Sequence, residues 1–198
     1  EKPHRLTSVT LAPPTMADPE FQHALEEFAS MQWRSGIRAE EIGSPQRIAP
    51  FSVAMALDFM EGDEELGTGR LILLHDPAGN ENWEGRFRLV SYVRAEVDQE
   101  MVTDPLLPEA AWSWLAEALT KHGAAHRALA GTVTASYGRG FGELATHQAE
   151  VEVRASWTPI LDNHHKMTVH LKAWQDLLGH ISGRPPLPRG VVQFPGRS

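Results

Sequence analysis

The sequence contains no cysteine among its 198 residues. That excludes disulfides, thiol nucleophiles, and zinc or iron–sulfur centres built on thiolates. Lysine is scarce as well, with four against fourteen arginines. Forked, stacking cations therefore dominate over point charges. No apolar run approaches the roughly 18 residues that a membrane-spanning helix needs. Cations as a whole are in deficit: 18 lysines and arginines face 26 aspartates and glutamates, a net charge of −8. Bulk attraction to nucleic acid or to an anionic membrane is not expected from such a chain. Phosphate-binding Gly-rich loops ending in Lys-Ser/Thr and Gly-x-Ser-x-Gly elbows are also missing.

What is present suits one globular domain. Hydrophobic residues make up 41% of the chain and charged residues 22%, and a chain of this length buries about 70% of its unfolded surface. The charge is uneven. Residues 1–100 hold 18 acids and 9 bases, whereas residues 101–198 hold 8 and 9. Residues 1–17 and 183–198 are rich in proline and poor in periodicity, so they read as tails around a single domain at 18–182. The first residues lack the apolar stretch of a signal peptide, and the expected location is cytoplasmic.

Within the domain, Asp18 followed by Pro19 predicts the start of a helix whose stripe is Phe21, Leu25 and Phe28. Alternation with a period of two then predicts strands. Phe51, Val53, Met55, Leu57 and Phe59 share one face of the first; 70–74 is apolar on both faces; Phe87, Leu89, Val93, Ala95 and Val97 face inward in a third. A helix after Pro108 carries Trp112, Leu115, Ala116 and Leu119. Two further strands follow around 129–137 and 149–157, and a last helix carries Met167, Leu171, Trp174, Leu178 and Ile181. Grouped strands with short links predict an α+β domain, order α-β(3–4)-α-ββ-α. Its mainly antiparallel sheet has five to six strands, with helices on one face. That order is shared with secretion-chaperone-like folds, an analogy of element order that carries no function.

Several groups could carry chemistry. Asp162, His164, His165 and His170, with His180 further on, offer imidazoles and a carboxylate to a divalent metal. Their spacing is poor, and a capped helix entry with partly exposed histidines is the preferred reading, so no metal site is assigned. Asp58, Glu61, Asp63, Glu64 and Glu65 lack the ligand spacing of a calcium loop and read as a solvated turn. Gly138–Gly142 lies between strands, not before a helix, and reads as a hairpin connection. No catalytic set and no cofactor follow from the sequence.

One surface stands out. Arg86, Arg88, Tyr92 and Arg94 alternate with core residues on one strand, and Trp83 precedes them in a turn. Arginines and an aromatic on one face suit a protein contact or stacked bases. Cross-strand pairing with Glu150 and Glu152 is the plainer alternative.

The words Gly67-Thr68-Gly69-Arg70-Leu71-Ile72-Leu73-Leu74-His75-Asp76-Pro77, Trp83-Glu84-Gly85, Asp104-Pro105-Leu106-Leu107-Pro108, Trp112-Ser113-Trp114-Leu115 and Arg154-Ala155-Ser156-Trp157-Thr158-Pro159 resemble an uncharacterised actinobacterial family. It is catalogued as domain of unknown function three thousand. The resemblance spans roughly 20–182. It implies single-domain cytoplasmic proteins, often encoded beside a ribonuclease D-like gene, and it brings no activity, cofactor or catalytic residue. The leading expectation is a non-enzymatic protein-binding or accessory module linked to RNA metabolism, whose partner is a protein such as a nuclease or a second copy. One alternative is an enzyme or small-ligand binder with a pocket between sheet and helices, lined by Trp112 or Trp114 with Arg70 or His75. Another is direct RNA binding through the arginine strand.

Overall fold

A computed structural model describes residues 18–45 and 47–187. The tail expected at 1–17 and most of the one expected at 183–198 lie outside the described residues.

The chain opens with helix α1 (Pro19–Ser30). The Asp18 carboxylate accepts the backbone N–H groups of Glu20 and Phe21 at 2.9 and 3.4 Å, and Pro19 occupies the first turn. Phe21, Ala24, Leu25 and Phe28 are buried. Strands β1 (Ile37–Ile42), β2 (Phe51–Glu61), β3 (Glu64–Asn80) and β4 (Gly85–Glu96) follow as an antiparallel meander. The chain then forms a single turn α2 (Gln99–Val102) and helix α3 (Leu107–Lys121). It returns as β5 (His126–Arg139) and β6 (His147–Pro159) and ends in α4 (Met167–Ile181). The sheet order is β1-β2-β3-β4-β6-β5, with every neighbouring pair antiparallel. β6 therefore inserts beside β4 and leaves β5 at the outer edge.

The fold is α+β, as the grouping of strands implies. Odd-numbered residues of four strands form the core: Met55 and Leu57, Leu71 and Leu73, Leu89 and Val93, Val153 and Trp157 are all fully buried. Leu115 and Leu119 of α3 and Leu171, Trp174 and Leu178 of α4 close over them. β1 escapes the periodicity argument because only Ile37 and Ala39 of its six residues are buried. β3 is longer than the apolar 70–74 segment, because its ends still pair, with β2 across a bulge at Phe59/Met60 and with β4 through Asn80 and Gly85 after a shift past His75.

Glycine normally weakens a strand, but Gly69 has a packing reason. A Cβ built there would lie 2.8 Å from Cζ2 of the fully buried Trp174. The indole takes the space that a side chain on β3 would fill. Gly69→Val is expected to displace the ring and to cost about 1–3 kcal/mol. A lower urea midpoint with an unchanged slope would show it, and an unchanged midpoint would refute it.

Candidate functional site

The arginine strip on β4 divides into unlike parts. Arg86 is exposed and pairs with Glu20 of α1 at 2.7 Å. Arg94 is exposed and faces Glu150 at 3.8 Å. The Tyr92 hydroxyl donates to Glu152 at 2.9 Å; burial, aided by this bond, pushes the phenol pKa up. Arg154 binds the other oxygen of Glu152 at 3.1 Å and lies over the Tyr92 ring. The plainer cross-strand pairing with Glu150 and Glu152 is thus present in the geometry. Trp83 sits half-buried in a short 3₁₀ turn (Glu81–Trp83), where its carbonyl accepts the Thr158 hydroxyl.

Arg88 departs from the exposed position that simple alternation gives it. Only 9% of it is accessible. Its guanidinium donates to the Ala128 carbonyl at 2.9 Å, to Thr158 Oγ1 at 3.2 Å and to Ser156 Oγ at 2.6 Å. No carboxylate lies within ion-pair distance among the described residues. Ala128 adopts a left-handed φ of 48° beside a bulge in the β5–β6 ladder, and so brings its carbonyl to the cation. Arg88 is a buried structural tie and not part of an accessible strip.

The histidines also separate. Asp162 accepts the backbone N–H groups of His164 and His165 at 2.7 and 2.8 Å and contacts the His165 ring at 2.9 Å. These bonds, led by the one from His165, hold its pKa down at about 2. This is a turn in the loop before α4, not the expected helix cap: α4 starts at Met167 with Lys166 at its N-cap, and no side chain caps it. His170, by contrast, is completely buried; its Nδ1 accepts the Trp157 indole N–H at 3.1 Å, and its Nε2 has no partner among the described residues. Burial pushes its pKa down to about 3, aided by the positive charge that His126 and His165 can carry. The sequence reading of partly exposed histidines fails here because position 170 falls on the inward face of α4.

Asp18, Glu20 and His75 bring three potential ligand atoms within 4.8 Å of one another. Both carboxylates are already engaged, Asp18 as the α1 cap and Glu20 by Arg86. His75 is buried against Phe87, with ring centroids 4.2 Å apart, and meets Asp18 at 3.1 Å. It lies on the core face of β3, whereas Arg70 is exposed on the other face, and Trp114 stacks on His180. The pocket expected from Trp112 or Trp114 with Arg70 or His75 does not assemble from these residues.

A cleft of about 740 Å³ opens elsewhere, at the end of the sheet. One face of α1, the start of β4, Arg127, the end of β6 and the loop to α4 form its walls. No periodicity pointed to it, because its residues come from element ends.

A family model for a protein of unknown function, DUF3000, matches residues 17–192. The chain belongs to this DUF3000 family. Neither the curated proteins nor the solved structures contain a match. Membership thus covers the whole described domain, and the family's description assigns it no activity.

The last surface is the β5–β6 hairpin. β5 is an edge strand of 14 residues, and all but one of its last nine are exposed. Near its tip Tyr137 is 40% and Phe141 76% accessible. Tyr137 stacks on His147, and Arg139 lies over the Phe141 ring.

Proposed function

We propose that this DUF3000 domain is a non-enzymatic protein-binding module whose binding element is the outer edge of β5, which no strand pairs among the described residues. The observation that carries this reading is the contrast between the two sheet edges. β1 is six residues long and bears Arg38, Glu40 and Glu41, the usual protection against strand addition. β5 is more than twice as long, and no charged residue occurs from Ala128 to Gly138. Threonine, valine and tyrosine there favour pairing with another strand. An extended segment of a partner protein, added as a seventh strand, would satisfy the outward main-chain groups.

The flanking charges specify its chemistry. Arg127 and Arg139 bracket the strand, and neither has a carboxylate partner among the described residues. A segment uncharged in its middle and acidic at its ends complements this edge. A second copy paired about Val133 would set Arg127 against Arg139, so the charges favour a different protein. A nuclease or an RNA-processing assembly as the source of that segment belongs to the same proposal. The carboxylates that answer Tyr92, Arg94 and Arg154 weigh against direct RNA binding by the open sheet face.

The test is Thr134→Lys with Ser136→Lys. Both positions are exposed and oppose Glu152 and Glu150 across the ladder, so folding should be retained. Affinity purification from native cells should recover a partner with the unmodified chain and lose it with the variant. Hydrogen exchange of the complex should show new protection in 128–138. A variant that keeps every partner, or a complex that leaves those amides unprotected, overturns the reading.

A further inference from the structure

The cleft at the end of the sheet has its own charge pattern. Its acids are almost all engaged. Glu20 pairs with Arg86 at 2.7 Å. Glu27 meets His23 at 3.3 Å and accepts the Thr168 backbone N–H, in the first turn of α4, at 3.1 Å. Asp162 is held by His165 and by two backbone N–H groups. The remaining acid, Glu84, favours the charged form of the buried Arg88.

The cleft's cations are not matched in the same way. Arg127 and Lys166 line it, both are exposed, and neither makes an ion pair among the described residues. Lys166 also sits at the N-cap of the 15-residue α4, where the helix adds positive potential. The lining also includes apolar residues from α1, β4, β6, the loop to α4 and the start of α4: Ala24, Phe87, Pro159, Ile160, Leu161 and Met167. A volume of about 740 Å³ lies within the range of small-molecule sites.

We infer that this cleft binds a soluble small molecule with an apolar or aromatic body and one anionic group, for which Arg127 and Lys166 supply the positive charge. The apolar lining residues take the body, and the two cations select against neutral analogues. This site shares Arg127 with the β5 reading but needs no strand addition there.

The probe is anilinonaphthalene sulfonate, which combines an aromatic body with a single anion, titrated by fluorescence into the full chain. Saturable binding with one site per chain is expected. Phenylnaphthylamine, the same kind of body without the sulfonate, should bind about tenfold more weakly or worse. Arg127→Glu with Lys166→Glu should also weaken the sulfonate probe about tenfold, with circular dichroism reporting that the fold is retained. Both residues are exposed, so unfolding is not expected; Lys166→Gln alone provides a milder variant with a smaller loss. The Thr134→Lys, Ser136→Lys chain should keep the probe affinity of the unmodified protein, which separates this inference from the β5 reading. Equal affinity for neutral and anionic probes, unchanged affinity in the double variant, or no saturable binding overturns the proposal.

Discussion

Acidification to about pH 4.5 is expected to remove about 3 kcal/mol of stability through His170 alone. The imidazole is completely buried, and burial holds its pKa at about 3 in the folded chain against an ordinary 6.5. Between these values the unfolded chain binds a proton that the folded chain rejects. Stability therefore rises with pH across this window, is fully present above about 6.5, and is lost as pH falls toward 3. For a domain of this size the melting temperature should drop by about 6–12 °C. The variant His170→Asn isolates the effect. Its side-chain oxygen can accept the Trp157 indole N–H, the role that Nδ1 fills now, but it does not titrate. The variant starts less stable, yet its melting temperature should vary much less between pH 7 and 4.5. Parallel pH profiles for the two chains would show that His170 is not the titrating group.

His170 also shows where reading a sequence succeeds and where it stops. The last helix was legible because Met167, Leu171, Trp174, Leu178 and Ile181 repeat at helical spacing, and all five are buried. His170 lies one position before Leu171 and is buried with it, but its polarity hides it from a pattern of apolar residues. The grouped strands were legible for the same reason as the helix: odd-numbered bulky residues face one way over long runs. β1 was not, because a short edge strand needs few apolar residues. The exposed edge of β5 was out of reach for a different reason. Alternation in 129–137 identifies a strand but cannot say that β6 will lie inside it. The cleft is further still from any pattern, since its walls are element ends separated by more than a hundred residues in the chain.

Arg88→Met should be among the most damaging single changes in the sheet, whereas Arg94→Met should be nearly silent. Alternation treats these two arginines as equivalent, because both are even-numbered positions on β4. The difference lies in what closes over them. Beside Arg88 the β5–β6 ladder slips between Arg127 and Ala130, and Ala128 turns its carbonyl onto the guanidinium. The Ser156 and Thr158 hydroxyls complete the cradle. Methionine has a similar length but no donors, so it would leave the Ala128 carbonyl and two hydroxyls short of partners in a site from which water is largely excluded. Bonds to a charged donor contribute about 1.5–3 kcal/mol each, and an unsatisfied buried group costs about 1–3 kcal/mol. Allowing for relaxation of the bulge, a loss of about 3 kcal/mol is expected, seen as a melting temperature lower by about 6–12 °C. Arg94, exposed and 3.8 Å from Glu150, should contribute about 1 kcal/mol or less. Arg88→Lys should recover only part of the loss, because an ammonium cannot span three acceptors with the reach of a fork. If Arg88→Met and Arg94→Met melt within 2 °C of each other, the guanidinium is not the tie that joins β4 to the β5–β6 ladder.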